Sequence, residues 1–484
     1  MALIKVEHLT FGFNEENLFN DVNLNIDTNW KLGLIGRNGK GKTTFLKLLL
    51  GKYEYRGKII SDNNFEYFPY LVDKNELVVN IAYQICPNIY EWQLIKEFNL
   101  LKLRDDILYC CFSHLSNGEQ TKILLALLFL KENNFLLIDE PTNYLDLEGR
   151  KIVSQYLSTK SGFILISHDR DFLDNTIDHV LSINKNNIEL VKGNFSSWYY
   201  NKELQDNYEI DKNNKLKKEI KRLQDTAKQK AKWSDRIEKT KYGNSHADKG
   251  YIGHKSAKMM QLAKNLENRQ IKLINDKKSL LQNIEEISDL KMFPLNYHNQ
   301  ILLRIENLNL NYNKEIFTNL NFTVENKERI LIKGLNGSGK SSLLKIIVGH
   351  LDNYKGKLIK NENLKISYIP QNTECLEGTL TEFILENNIN ETLFKTILIK
   401  LGFQRLDFLK SIDNYSMGMK KKVLLAKSLS EQAHLYIWDE PLNYIDVISR
   451  IQIEKVILEY QPTMIFVEHD QKFCDNVATK IIEI

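Results

Sequence analysis

The string G-x-x-x-x-G-K-[ST] occurs twice in this chain of 484 residues, and no other feature narrows its possible folds as far. Gly36-Arg37-Asn38-Gly39-Lys40-Gly41-Lys42-Thr43 follows the apolar run 32–35, and Gly334-Leu335-Asn336-Gly337-Ser338-Gly339-Lys340-Ser341 follows 330–332. Each opens a helix-like stretch, giving the strand, loop and helix setting that the motif requires. Glycines at these places let successive backbone N–H groups turn inward around phosphate oxygens at the positive end of a helix. On this reading Gly36, Asn38, Gly39, Gly41, Lys42, Thr43 and Thr44 form one ATP cradle. Gly334, Asn336, Gly337, Gly339, Lys340, Ser341 and Ser342 form the other. Lys42 and Lys340 would reach the β- and γ-phosphates, and the hydroxyls of Thr43 and Ser341 would ligate Mg²⁺.

The two halves keep nearly one register. Gly36 to Gly334 spans 298 positions, Ser116 to Ser416 and Asp139 to Asp439 span 300, and His168 to His469 spans 301. Leu-Leu-Ile-Asp-Glu-Pro-Thr-Asn-Tyr-Leu-Asp (136–146) answers Tyr-Ile-Trp-Asp-Glu-Pro-Leu-Asn-Tyr-Ile-Asp (436–446). The expected organisation is therefore a duplicated α/β domain of about 200 residues per copy. The copies are placed at 1–200 and 299–484, with a connector at 201–298.

Each copy carries further groups suited to phosphoryl chemistry. An apolar strand ends in Asp139-Glu140 in one and Asp439-Glu440 in the other. The Asp would hold Mg²⁺ and the Glu would polarise the attacking water. A lone Asp-Glu at a strand end is more often a helix cap, but here it follows a phosphate loop. Ser116 and Gly118, and likewise Ser416 and Gly418, begin helix-like runs where a hydroxyl and N–H groups suit a γ-phosphate. His168 and His469 each follow a β-rich run and precede Asp; a histidine there can hydrogen-bond the γ-phosphate.

Composition is that of an ordinary soluble globular protein, at 43% hydrophobic and 26% charged. The longest apolar run, Ile123 to Leu130, is too short for a bilayer, and the N-terminus enters a strand-like segment without a leader. A cytoplasmic protein with no membrane partner is expected. Its five cysteines (86, 110, 111, 375, 474) have no metal or redox spacing and read as reduced packing residues. The net charge of +4 hides a strong asymmetry: 212–278 holds 20 Lys/Arg against 7 Asp/Glu, or +13, which leaves −9 elsewhere. A solvated helical face is the ordinary reading of a charge run. One this long, attached to two acidic domains, also suits a polyanion.

Within the connector, Leu216, Ile220, Leu223 and Ala227 form a heptad-like seam, and Leu273, Leu280, Ile284 and Ile287 form a returning stripe. An antiparallel helical hairpin is expected, with its tip near 241–258. Lys241, Tyr242, Asn244, His246, Lys249, Tyr251, His254 and Lys255 are the candidate RNA- or tRNA-contacting residues of that tip. Aromatics among cations can stack on unpaired bases while lysines meet phosphates; a plain exposed turn is the alternative.

The whole set resembles the ATP-binding cassette superfamily, whose signature L-S-G-G-Q lies between the phosphate loop and the acidic strand. Two cassettes with a basic connector resemble its ABC-F branch, whose members act on ribosomes. Ala227-x-x-x-Ala231-x-Trp233-Ser234, Lys241-Tyr242-Gly243-Asn244 and Gly253-x-x-x-Ala257 are similar to the linker of the Lsa and Vga type of antibiotic-resistance proteins. The resemblance implies head-to-tail pairing, each ATP lying between one phosphate loop and the other cassette's signature. Adenine would stack on an aromatic upstream, Phe13 or Tyr312. It further implies a monomer that binds the exit-tRNA site of the bacterial ribosome, reaching large-subunit RNA and peptidyl-site tRNA. Its linker would then dislodge lincosamide, pleuromutilin or streptogramin A drugs.

Two departures from the family pattern fall on one composite site. The family's Gln, which touches Mg²⁺ and water, is Gln371 in the second cassette but Tyr70 in the first, and the degenerate signature carries Met417 and Met419. The site built from Lys42, Tyr70, Glu140, Ser416 and Gly418 is expected to turn over more slowly. The one built from Lys340, Gln371, Glu440, Ser116 and Gly118 keeps the full set. Rival readings are a transporter subunit, a DNA-repair or chromosome-organising ATPase, and a housekeeping ABC-F translation factor. Such factors often carry an extra arm or a basic tail. Here Tyr70 to Leu115 spans 45 positions, Gln371 to Tyr415 spans 44, and 15 residues follow His469, which favours resistance over housekeeping.

Overall fold

The computed structural model describes residues 3–13, 16–131, 134–184, 188–239, scattered positions from 254 to 272, 289–311, 315–335, 337–361, 363–373 and 376–484. The chain divides into two compact units, one made of 1–196 with 287–484 and the other of 197–286.

In the first unit, each cassette pairs a small antiparallel sheet with a larger, mainly parallel one. The first cassette contains β1 (Leu3–Phe13), β2 (Glu16–Asp27), β3 (Lys31–Ile35), β4 (Arg56–Ile60), β5 (Asn64–Phe68), β6 (Asn134–Asp139), β7 (Phe163–Ile166), β8 (His179–Ile183) and β9 (Ile188–Lys192). Strands β2-β1-β4 form the antiparallel sheet, and β5-β6-β7-β3-β8-β9 the other. The second cassette repeats the plan with β10 (Ile301–Asn311), β11 (Glu315–Glu325), β12 (Arg329–Lys333), β13 (Lys355–Lys360), β14 (Ile366–Ile369), β15 (Leu435–Asp439), β16 (Met464–Val467) and β17 (Lys480–Glu483). Its sheets run β11-β10-β13 and β14-β15-β16-β12-β17.

This strand order explains how distant motifs meet. Parallel strands covered on both faces are continuous apolar runs, as Leu136-Leu137-Ile138 and Phe163-Ile164-Leu165-Ile166 are, and all of these are buried. Because β6, β7 and β3 are neighbours and parallel, their C-terminal ends lie along one edge of the sheet. The first phosphate loop, Asp139-Glu140 and His168 all follow those ends, and β15, β16 and β12 do the same in the second cassette. Ligands of open α/β sheets bind at that edge. Beneath it, Phe45 and Leu46 of the helix Lys42–Leu49 pack with Phe135, Leu137, Ile164 and Ile166. Leu343, Leu344, Ile437 and Ile465 repeat the arrangement.

The second unit contains most of the 45-residue helix Phe195–Lys239, which runs unbroken through position 200 and is about 67 Å long at 1.5 Å per residue. The described positions between 254 and 272 are helical too. Lys215, Lys218, Lys221 and Arg222 are exposed along the helix. His254 is helical and exposed; Lys241, Tyr242, Asn244, His246, Lys249, Tyr251, Lys255 and the returning stripe from Leu273 to Ile287 lie outside the described residues. Among the described residues no helix is long and apolar enough to cross a membrane.

Candidate active site

Both phosphate loops end on a left-handed glycine that hands the chain to a helix. Gly41 (φ 89°) precedes Lys42–Leu49, and Gly339 (φ 90°) precedes Lys340–Val348. Any other residue would be strained there. Each lysine donates to its own loop. Lys42 Nζ donates to the Gly36 carbonyl at 2.7 Å and to Asn38 Oδ1 at 3.3 Å; Lys340 Nζ donates to the Gly334 and Leu335 carbonyls at 2.9 Å. Burial lowers the pKa of both ammonium groups, opposed by nearby acids: Asp446 and Glu140 for Lys42, Glu440 and Asp146 for Lys340.

The proposed metal positions lie beside these loops. Thr43 Oγ1 donates to Asp139 Oδ2 at 2.9 Å, and the Tyr67 hydroxyl donates to the same oxygen at 3.0 Å. Asp439 is fully buried and neither carboxylate oxygen has a well-formed hydrogen bond. Burial pushes it up to about 6, with Ser341 opposing. A hydroxyl beside a buried, under-satisfied carboxylate fits a hard cation that takes oxygen ligands.

The two glutamates occupy different surroundings. Glu440 lies 3.4 Å from His469 Nε2, and its Oε2 accepts from Asn443 Nδ2 at 2.6 Å. Burial raises its pKa, but hydrogen bonds from His469 and Gln371 overcome this and bring it down to about 2. Glu140 is half-buried, and its two carboxylate oxygens, themselves buried, fall short of hydrogen-bond geometry, although His168 Nε2 lies 3.1 Å from Oε1. Burial and Asp139 push it up to about 8. Tyr70, where the second cassette has Gln371, turns toward Glu66, donating to its Oε2 at 3.2 Å, with Lys131 over its ring.

Ser116 caps the helix Asn117–Leu130 and Ser416 caps Met417–Ser430, each accepting an N–H three residues on at 3.3 Å. Ser116 Oγ also donates to Glu119 Oε2 at 2.8 Å. A pocket of about 400 Å³ joins the cassettes. Phe13, Asn38, Gly39, Gly41, Lys42, Thr43, Thr44, Asp139, Glu140 and His168 line it from one side, and Ser416, Gly418 and Tyr444 from the other. Asn38 Nδ2 donates to the Tyr444 carbonyl at 2.8 Å, and Asn38 N–H reaches Asp446 Oδ2 at 3.4 Å. A Cβ on Gly418 would come within 2.6 Å of that carbonyl and 2.9 Å of Asn38 Nδ2. The first loop and the second signature are thus in direct contact.

A protein-family model described as ABC transporter matches residues 19–143 and 317–443. The chain belongs to that family. It is an ATPase with two ABC domains in tandem. Among its relatives, the ribosome protection protein VmlR of Bacillus subtilis is 26% identical over 100% of this chain and 86% of its own length. The ATP-binding protein Uup of Buchnera aphidicola is 27% identical over 99% of this chain and 80% of its own. These relatives are ABC-F proteins. A solved structure of an archaeal ribosome recycling factor, in complex with a ribosomal stalk protein, has the same fold. It matches with a TM-score of 0.61 and 18% identity, over 99% of this chain and 87% of its own.

At the other interface of this ABC ATPase, Asp146 of the first domain acts on the charge of Lys340. Tyr312 and Asn336 lie outside the described residues. Sequence reasoning assigned no role to Tyr444 and Asp446, although the repeated Asn-Tyr-x-Asp string held both. It also passed over Lys422, whose buried Nζ pairs with Asp446 Oδ2 at 2.8 Å. Arg150 was missed as well; its Nη1 donates to Asp169 Oδ2 at 2.8 Å and across the domains to the His469 carbonyl at 2.9 Å.

Proposed function

We infer that this ATPase closes its two domains around ATP and, in that state, binds the bacterial ribosome at the exit-tRNA site. There its linker would reach large-subunit RNA and the peptidyl-site tRNA and displace lincosamide, pleuromutilin or streptogramin A drugs from the peptidyl-transferase centre. The observation that carries the reading is the pocket shared by Lys42 and Ser416 in a single chain whose positive charge is concentrated in the connector. Closure in cis needs no second copy, and a +13 connector suits RNA phosphates. Likeness to VmlR along the whole chain supports the resistance reading, while the Lsa and Vga type is proposed on the linker motifs of the sequence alone.

In this mechanism Lys42 and Lys340 bind the phosphates, and Ser116, Gly118, Ser416 and Gly418 complete each site from the opposite domain. Phe13, half exposed in the first pocket, offers adenine a face. Glu140 and Glu440 are the bases, positioned by His168 and His469. Mg²⁺, held by Thr43 with Asp139 and by Ser341 with Gln371 and Asp439, would neutralise charge on the phosphates. The test is expression in a drug-sensitive bacterium. Inhibitory concentrations should rise for at least one of these drug classes with the wild type, and not with Glu140→Gln/Glu440→Gln. Unchanged susceptibility to all of them would favour a second reading, a housekeeping ABC-F translation factor without drug protection.

A further inference from the structure

One buried cation near the second composite site has no counterpart in the first cassette. Lys421, in the helix Met417–Ser430, is 2% exposed, and its Nζ donates at 3.1 Å to two carbonyl oxygens, those of Pro370 and Glu440. Pro370 precedes Gln371, and Glu440 is the candidate base. Three hundred positions earlier stands Thr121, whose hydroxyl donates to Asn117 O within its own helix at 2.8 Å.

The same division recurs before the histidines. Glu468 is 5% exposed; its Oε1 accepts from Leu442 N–H at 2.7 Å and its Oε2 from His469 N–H at 3.0 Å. The first cassette has Ser167 there, whose hydroxyl accepts from Asp169 N–H at 3.2 Å and lies 3.1 Å from Thr142 Oγ1. Burial lowers the Lys421 pKa, and Glu468 leads the acids that oppose it. Buried charges are costly unless paired and fully hydrogen-bonded, so a lysine and a glutamate kept in only one of two homologous frameworks need a local reason.

The backbone supplies one. Glu440 sits at φ 48°, a left-handed conformation that non-glycine residues disfavour. Its N–H donates to Val467 O at 3.0 Å, and Lys421 holds its carbonyl from the other side. Glu140 has the same twist, at φ 52°, and its N–H donates to Ile166 O at 2.9 Å. No side chain among the described residues donates to the Glu140 carbonyl.

We propose that Lys421 and Glu468 are positioning residues for hydrolysis at the second composite site. The lysine ties the Glu440 peptide to the Pro370–Gln371 segment, and the glutamate ties His469 to the segment at Leu442. Base, glutamine and histidine thereby keep one geometry while water attacks the γ-phosphate. Both act through backbone groups of the site, the lysine on two carbonyls and the glutamate on two N–H groups. The inference rests on the assignment of Glu440 as base.

The test uses the full chain with Glu140→Gln, which leaves only the second site to turn over. Lys421→Thr and Glu468→Ser install the first cassette's own residues. Each should lower kcat about tenfold, because small misplacements of catalytic groups are expensive, with KM for ATP changed less than about twofold. In a Glu440→Gln background the same substitutions should leave the residual turnover unchanged. An unchanged kcat, or equal losses in both backgrounds accompanied by a lower Tm, would overturn the proposal. Should Lys421→Thr not fold, Lys421→Met keeps the volume; if neither folds, the lysine serves stability and the proposal fails. The double variant Glu140→Gln/Glu440→Gln separates the two ideas: full activity there would remove Glu440 as base, whatever Lys421 does.

Discussion

Tyr70 and Gln371 follow equivalent prolines, and the difference between them is one of reach and polarity. Gln371 puts an amide beside Glu440, whereas Tyr70 bonds to Glu66 and leaves Glu140 without a well-formed partner. A general base must be held within hydrogen-bond reach of its water. Glu440→Gln should therefore lower steady-state ATPase activity at least about tenfold, while Glu140→Gln keeps most of it. Equal losses in the two variants would contradict the asymmetry. The glycines of the signatures differ in the same direction. A Cβ at Gly418 meets backbone at 2.6 Å, but one at Gly118 would lie 3.4 Å from Tyr144 O, an ordinary contact. Gly418→Ala should raise KM for ATP more than Gly118→Ala, measured in matched single-site backgrounds.

At the scale of elements, the seam between the domains is held by helix starts. Asp446 caps the helix Val447–Tyr460, accepting from Ser449 N–H at 2.9 Å, and pairs with Lys422. Burial works to raise its pKa, but the charges of Lys422 and Lys42 hold it well below the ordinary carboxylate range. A depressed folded-state pKa means that the stabilisation is complete above the unfolded value, about 3.9, and is lost as pH falls toward the folded one. Asp446→Asn keeps the cap but leaves Lys422 buried and unpaired, a loss of about 3 kcal/mol at pH 7. Denaturant titrations should show that gap narrowing only below about pH 4. A gap that stayed constant to pH 2 would contradict the ion pair.

The same elements show what could be read in advance. Strands β3, β6, β7, β12, β15 and β16 were legible because strands buried on both faces are unbroken apolar runs that stop at charged or glycine-rich motifs. The duplication then placed Ser116, Ser416 and both histidines by register alone. Lys421, Lys422 and Arg150 were not legible, since on a helix they look like solvent-facing cations. Only tertiary packing brings carbonyls and carboxylates against them. The Arg170–Glu454 contact across the domains was hidden in the same way, because the two residues are far apart in sequence and neither belongs to a motif.

At the scale of the whole molecule, the proposed motor and the proposed tool occupy different parts of the chain. The ATP sites lie in the unit made of 1–196 and 287–484, and the basic charge lies in 197–286. Replacing 242–254 by glycine and serine should therefore abolish drug protection while ATPase activity without ribosomes changes less than about twofold. A parallel loss of both would mean that the connector supports the domains themselves. The most direct measurement is sedimentation of Glu140→Gln/Glu440→Gln with bacterial ribosomes, with and without ATP, at physiological salt. ATP-dependent co-sedimentation with the large subunit is expected, lost without nucleotide and weakened as salt rises. No association with ribosomes in the ATP-bound state would contradict it.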